Sequence, residues 1–357
     1  MSTFLLPIEG LTVTSPWKIG RVQLHPGASA RALLGPEAER WFAHEIAGDV
    51  ANRVADELGQ GTVAQVDASD VDEALDLVTL TTDLLRVFQK RGARFRTTMF
   101  GLPGQVYRSN VQYFTVGEEG GPAFRNRGEV LSSTLSEETH AAWQASQTFA
   151  SLAAQVGADG PLDEGPRRAL LGVQLLSQAV LEHRPAFKIL NLVIALESML
   201  LERDHGQQTL RLLRRATYFT CGRPYDSMCG RDRAACQFLA LDPAIKADRQ
   251  QLDWLRKLAE MGPPWRCGEW LGYAHWYDLR SSVAHGDDEP VTPEEASQAE
   301  YWIFMWTVEP LLQWLVEHPV NPLGELDQAL AALEPVPDWQ NPVPNPSTYE
   351  PGNHQAS

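Results

Sequence analysis

The sequence predicts an α+β amino-terminal domain followed by an all-α domain. Three observations carry that prediction. Short β-like runs alternate with two helical stretches over residues 1–156, and a Gly/Asp/Pro segment at 157–165 then breaks the composition. From Pro166 to about Pro319 the apolar spacing is almost wholly helical. A length of 357 residues suits two domains, or one large domain with an elaboration.

In chain order, β-like runs fall at Thr12–Thr14, Arg21–Leu24, Thr62–Val66, Arg94–Met99 and Val111–Val116. Helices are expected over Pro36–Leu58 and Asp70–Arg91. In the second of these, Leu75, Leu77, Val78, Leu80, Leu84, Leu85 and Phe88 fit a helical apolar face, and Asp70 is placed to cap its start. The Gly-rich loop Gly117–Gly121 lacks a following Lys-Ser or Lys-Thr, so it is not a phosphate-cradling loop. Nothing in this domain identifies a ligand. After the linker at 157–165, helices are expected over Arg167–Glu182, Phe187–Glu202, Gln207–Phe219, Ala244–Glu260, Glu269–Ser281 and Pro293–Glu317. The last opens on a Thr292-x-x-Glu295 capping box with Pro293 at the first helical position, and Pro310 is placed to kink it. Residues 334–357 hold six prolines and no Lys or Arg, a composition that reads as a disordered tail.

Charge excludes some functions. The net charge is -16, which argues against a protein that binds nucleic acid over its whole surface. Charge is also sorted along the chain. Residues 203–266 carry 12 Lys/Arg against 7 Asp/Glu, whereas residues 286–357 carry 13 Asp/Glu and no Lys or Arg. That pattern reads either as solvated faces or as a local phosphate-binding surface beside a segment able to shield it. No stretch reads as a signal peptide or a bilayer span, so no membrane is expected. Four cysteines in a chain of this length point to the reducing cytoplasm.

The most informative stretch is Tyr277-Asp-Leu-Arg-Ser-Ser-Val-Ala-His-Gly286. On one continuous helix the five positions from Arg280 to His285 turn through about 500° and leave the side chains about 140° apart. Within one chain they converge only if the helix stops between them; Gly286, followed by two aspartates, is a good place for the helix to end and sets His285 at a helix C-terminus. Taken alone, this spacing also suits a capping histidine and a salt-bridged arginine.

Arg280-Ser281-x-x-x-His285-Gly286, after an aromatic helix and before an acidic loop and a long helix, resembles the HEPN superfamily, in particular its Apea-like group. Ile194-Ala-Leu-Glu-Ser-Met-Leu-Leu201 is similar to that group's central-helix element, and Leu212-Leu-Arg-Arg-Ala216 to its following helix. The resemblance covers about residues 165–318. It implies a HEPN-type helical bundle over 166–319, a homodimer with two motifs facing each other, and RNA cleavage without metal or other cofactor. It also implies that the catalytic positions are Arg280, His285 and Ser281. The superfamily includes members that have lost activity.

Other residues carry weaker signals. Glu197 lies nine positions from Lys188, about 180° from the polar stripe of Lys188, Asn191, Ser198 and Glu202. A carboxylate on the apolar side needs a partner, and Arg214, Arg215 and Arg280 are the candidates; a core salt bridge is the favoured role. Cys221, Cys229, Cys236 and Cys267 are enough in number for a structural zinc site, but they lack a tight Cys-x2-4-Cys pair, so buried free thiols are expected. Trp302 and Trp306 share a face with Met305 and read as core or dimer-interface residues. His44, His140 and His183 have no partner at ligand or triad spacing.

Two functions follow as expectations. One is a metal-independent endoribonuclease, a hydrolase acting in defence or stress. The other is a non-catalytic RNA-binding or protein-interaction module that uses the bundle as a dimerisation scaffold. A regulatory partner is compatible with either and is not identified by any residue.

Overall fold

A computed structural model describes residues 2–30, 33, 61–91, 100–102, 110–114, 122–126, 133–158, 160–202, 208–220, 268–286 and 291–333. The architecture is a small-sheet region at the amino terminus followed by a mostly helical remainder. The chain forms two compact units, residues 1–183 and 184–357.

In the first unit, strands β1 (Ser2–Ile8), β3 (Trp17–Ile19), β4 (Val22–Pro26) and β5 (Thr62–Ala68) form an antiparallel sheet in the order β1-β5-β4-β3. β1 is an edge strand, which is where Pro7 costs no ladder hydrogen bond. β2 (Leu11–Val13) pairs in parallel with β8 (Ser133–Leu135), and β6 (Asn110–Phe114) pairs antiparallel with β7 (Pro122–Asn126). A single helical turn, α1 (Gly27–Ala30), follows β4. Gly20 turns the β3–β4 hairpin with φ +57°, and a Cβ there would meet the Ala153 carbonyl oxygen at 2.3 Å. The expected helix at 70–91 is α2 (Val71–Lys90), capped by Asp70, whose side chain accepts from the Glu73 amide. The runs expected at 12–14, 21–24, 62–66 and 111–116 appear as β2, β4, β5 and β6, whereas Arg94–Met99 and Pro36–Leu58 lie outside the described residues.

Helices α3 (Glu137–Ala145), α4 (Gln147–Gln155) and α5 (Glu164–Leu181) complete this unit. The compact units divide after His183, so α5 belongs to the first of them. α2 and α5 pack together around a buried polar cluster. Arg86, 0% exposed, donates to Asp83 and Ser177 and to the Phe100 carbonyl, and Ser177 donates to Asp83. Burial raises the Asp83 carboxyl above its ordinary range against the pull of Arg86, and lowers the Arg86 guanidinium from its own.

The second unit holds α6 (Pro185–Leu200), α7 (Gln208–Thr220), α8 (Gly268–His285), α9 (Pro293–Trp302), α10 (Val308–Glu317) and α11 (Pro322–Leu333). α6 packs against α7, α8 and α9. The expected single helix over Pro293–Glu317 is two helices joined by one π turn, Ile303–Thr307. The distortion lies just before Pro310, whose ring crowds the carbonyl four residues earlier and whose missing N–H removes a helical bond. Tyr273 of α8 and Thr307 of the π turn join by a buried hydroxyl–hydroxyl hydrogen bond. The expected capping box is present: Thr292 accepts from the Glu295 amide and Glu295 accepts from the Thr292 amide. The expected tail at 334–357, the helix at Ala244–Glu260 and all four cysteines lie outside the described residues.

Candidate functional site

α8 is the element that carries the motif. It runs unbroken through Arg280, Ser281 and His285 and stops at Gly286, whose φ is +77° and whose amide bonds the Val283 carbonyl at 3.3 Å. The helix thus ends at the expected Gly286, four residues beyond the expected last residue Ser281, and this end lies after His285 and not between the two motif residues. Arg280 and His285 consequently diverge by about 140° around the helix and stand about 7.5 Å apart along it, and a single chain does not bring them together. His285 is exposed at the helix C-terminus. Ser281 is half-buried.

Arg280 turns toward α6. Its Nη2 donates to Glu197 Oε2 at 2.9 Å, with 25% of the Arg280 side chain and 16% of the Glu197 side chain exposed. Its Nε is buried and has no hydrogen-bond partner. Its guanidinium lies 5.8 Å from the centre of the Tyr277 ring. Burial raises the Glu197 carboxyl above the ordinary carboxylate range, and the charge and hydrogen bond of Arg280 oppose that rise without cancelling it. Among the described side chains, Arg280 is the candidate partner that reaches Glu197. Arg215 goes elsewhere: it is 1% exposed and holds Glu202 and Asp327. The Arg214 side chain lies outside the described residues.

The opposite side of α8, where His285 lies, also holds residues outside the motif. His275, Asp278, Ser282 and His285 fall within about 80° of one another around the helix. His275 Nε2 lies 3.5 Å from Glu295 Oε1, so the capping carboxylate of α9 also meets α8. A histidine-acid pair between two helices leaves little trace in sequence, because the partners are twenty residues apart and follow no motif spacing. Among the described residues no group of three or more His, Cys, Asp or Glu is placed to hold a metal ion. No helix among them is long and apolar enough to cross a membrane.

The remaining candidates separate from the motif. Trp302 and Trp306 lie 6.2 Å apart on the π turn and its approach, with Trp306 39% exposed. His140 stacks on the buried Trp17 at 4.4 Å in the first unit, and His44 lies outside the described residues. No family model, no curated protein and no solved structure matches the chain.

Proposed function

We propose that the chain is a metal-independent endoribonuclease of HEPN type, built on an Apea-like helical bundle and working in the cytoplasm as a defence or stress effector. The observation that carries this reading is an exposed histidine at the C-terminal end of α8, one turn and a half beyond an arginine that keeps unused donors. In the proposed reaction His285 removes the proton from a ribose 2′-hydroxyl. The 2′-oxygen attacks phosphorus, the bond from phosphorus to the 5′-oxygen breaks, and a proton is delivered to that leaving oxygen. The products are a 2′,3′-cyclic phosphate and a free 5′-hydroxyl, with no oxidant and no cofactor. Arg280 holds the phosphate oxygens as negative charge grows on them, and Ser281 adds a hydroxyl donor beside it. The divergence of Arg280 and His285 within a chain supports a composite site, in which a homodimer sets each Arg280 beside the partner copy's motif.

The second reading is a non-catalytic RNA-binding or protein-interaction module. It is favoured by the net charge of -16 and by the carboxylate already sitting on Arg280. Incubation of single-stranded RNA with wild type and with His285→Ala separates the two. Cleavage by wild type that His285→Ala loses supports the ribonuclease, whereas equal rates assign the motif to the interaction module.

A further inference from the structure

Two other arginines of this molecule give both terminal nitrogens to acceptors, although the buried Nε of Arg86, like that of Arg280, has no partner. Arg215 is held on both edges: Nη1 and Nη2 meet Glu202 at 2.9 and 3.0 Å, and Nε and Nη2 meet Asp327 at 3.0 and 2.6 Å. Arg86 is buried and gives its terminal nitrogens to Asp83, Ser177 and the Phe100 carbonyl. Arg280 differs from both. It meets one carboxylate through one nitrogen, it stays a quarter exposed, and its Nη1 has no acceptor among the described residues. Its plane is fixed by Glu197 and the Tyr277 ring, while a fork of donors stays available for a second anion.

We infer that Glu197 is a positioning residue that holds the Arg280 guanidinium for an RNA phosphate and takes up a proton when the phosphate arrives, so that anion binding at Arg280 is linked to protonation of Glu197. This rests on the reading that Arg280 meets phosphate and does not depend on whether the RNA is cut. A phosphate on Arg280 sets a second negative charge within a few ångström of the Glu197 carboxylate, and two like charges sharing one cation favour protonation of the more buried one. Burial has already moved Glu197 toward its neutral form. A protonated Glu197 keeps a carbonyl oxygen that accepts from Nη2, so the arginine stays in place while the local charge rises by one.

Among the described residues, the other charged groups around this pair are turned elsewhere. From α7, Arg211 and Arg215 face Glu202; from α9, Glu300 faces Lys188 and Glu295 faces His275. On α8, Asp278 and His285 lie toward the far side of the helix from Arg280. Among the described residues, Arg280 is the charged group that acts on Glu197.

The test uses the full chain and a single-stranded RNA oligonucleotide 2′-O-methylated throughout, which lacks the attacking hydroxyl. Calorimetric titrations in two buffers of different ionisation heat, between about pH 5 and pH 7.5, count the protons taken up on binding. Wild type is expected to take up protons and to bind more tightly as pH falls. Glu197→Gln is expected to take up fewer and to bind about tenfold more tightly at the upper end of the range. Adding Arg280→Gln to Glu197→Gln should erase that gain. Equal proton uptake by wild type and Glu197→Gln, or no gain in affinity at high pH, overturns the inference. If Glu197→Gln does not fold, wild type and Arg280→Gln decide the matter, since equal uptake by those two overturns it as well. Cleavage of unmodified RNA, measured in parallel, keeps the two ideas apart. Linked binding without cleavage removes the ribonuclease alone, and His285-dependent cleavage without linkage removes the Glu197 role alone. A wild type that does not bind the oligonucleotide removes the premise of both.

Discussion

Arg86, Arg215 and Arg280 carry the same charge, yet the number of acceptors around each sets what its loss does. Arg86→Ala leaves Asp83 as a buried carboxylate without its cation, and breaking such a pair costs about 3–5 kcal/mol. Chemical denaturation of the variant should show a loss of that size. Glu197→Ala leaves Arg280 without an acceptor and should cost about 1–3 kcal/mol, less than Arg86→Ala because both partners keep some solvent. The pH dependence at Glu197 has a definite sign. Its folded carboxyl titrates above the value of 4.5 it has when free, so its contribution to stability is full below that value and is lost as pH rises through the folded one. Wild type should therefore fall in thermal stability relative to Glu197→Gln as pH rises from the acid side to neutrality. A difference that grows toward acid pH instead would show that Arg280, not burial, dominates the carboxylate. His285→Ala belongs to another class. Its side chain is exposed, so the variant should melt close to wild type, at most about 1 kcal/mol less stable through the lost helix-dipole contact. Under the proposed function its RNA cleavage falls by about 10²–10⁴-fold. Arg280→Lys should not restore full activity, because a lysine cannot make the forked contact.

Elements with local signals were legible before any packing was known. Asp70 and Thr292 were readable as caps because a short polar side chain three residues before an acceptor-rich first turn satisfies orphan amides without tertiary help. Thr292→Ala should lower stability by about 0.5–2 kcal/mol in thermal unfolding, since it dismantles the capping box. α3 and α4 gave no clear period: α3 buries one side chain, Trp143, so its apolar face is too narrow to read. β1 was hidden by Pro7, which argues against a strand unless the strand is known to be an edge. Pro310 marked a disturbance in the long helix correctly but not its form. Whether a proline kinks a helix or is relieved by a π turn depends on what sits across from it, here Tyr273 bonded to Thr307. Thr307→Val should cost about 0.5–1.5 kcal/mol, the worth of one hydrogen bond.

At the scale of the molecule the proposed site makes two further demands. The composite reading requires self-association through the helical unit. Sedimentation at micromolar concentration should show a dimer, and a strict monomer with full activity would contradict the composite site. RNA cleavage should survive EDTA, because Arg280 and His285 supply proton transfer and charge without a carboxylate pair to hold magnesium. By itself the sequence determined the mixed sheet and helical classes, the two capped helix starts, the motif residues on α8 and the need of Glu197 for a basic partner. Those follow from local spacing and from the cost of burying an unpaired charge, which any fold must meet. Only the tertiary structure decided which arginine answers Glu197, that Asp327 on α11 joins Glu202 around Arg215, and that α5 packs with the first unit through Arg86 and Ser177. It also decided that α8 continues past Arg280 to Gly286. Each of these pairs groups far apart in the chain or sets where a helix end lies in space. Hydrophobic period and charge count are blind to both, because many partners satisfy the same local rule and packing selects one.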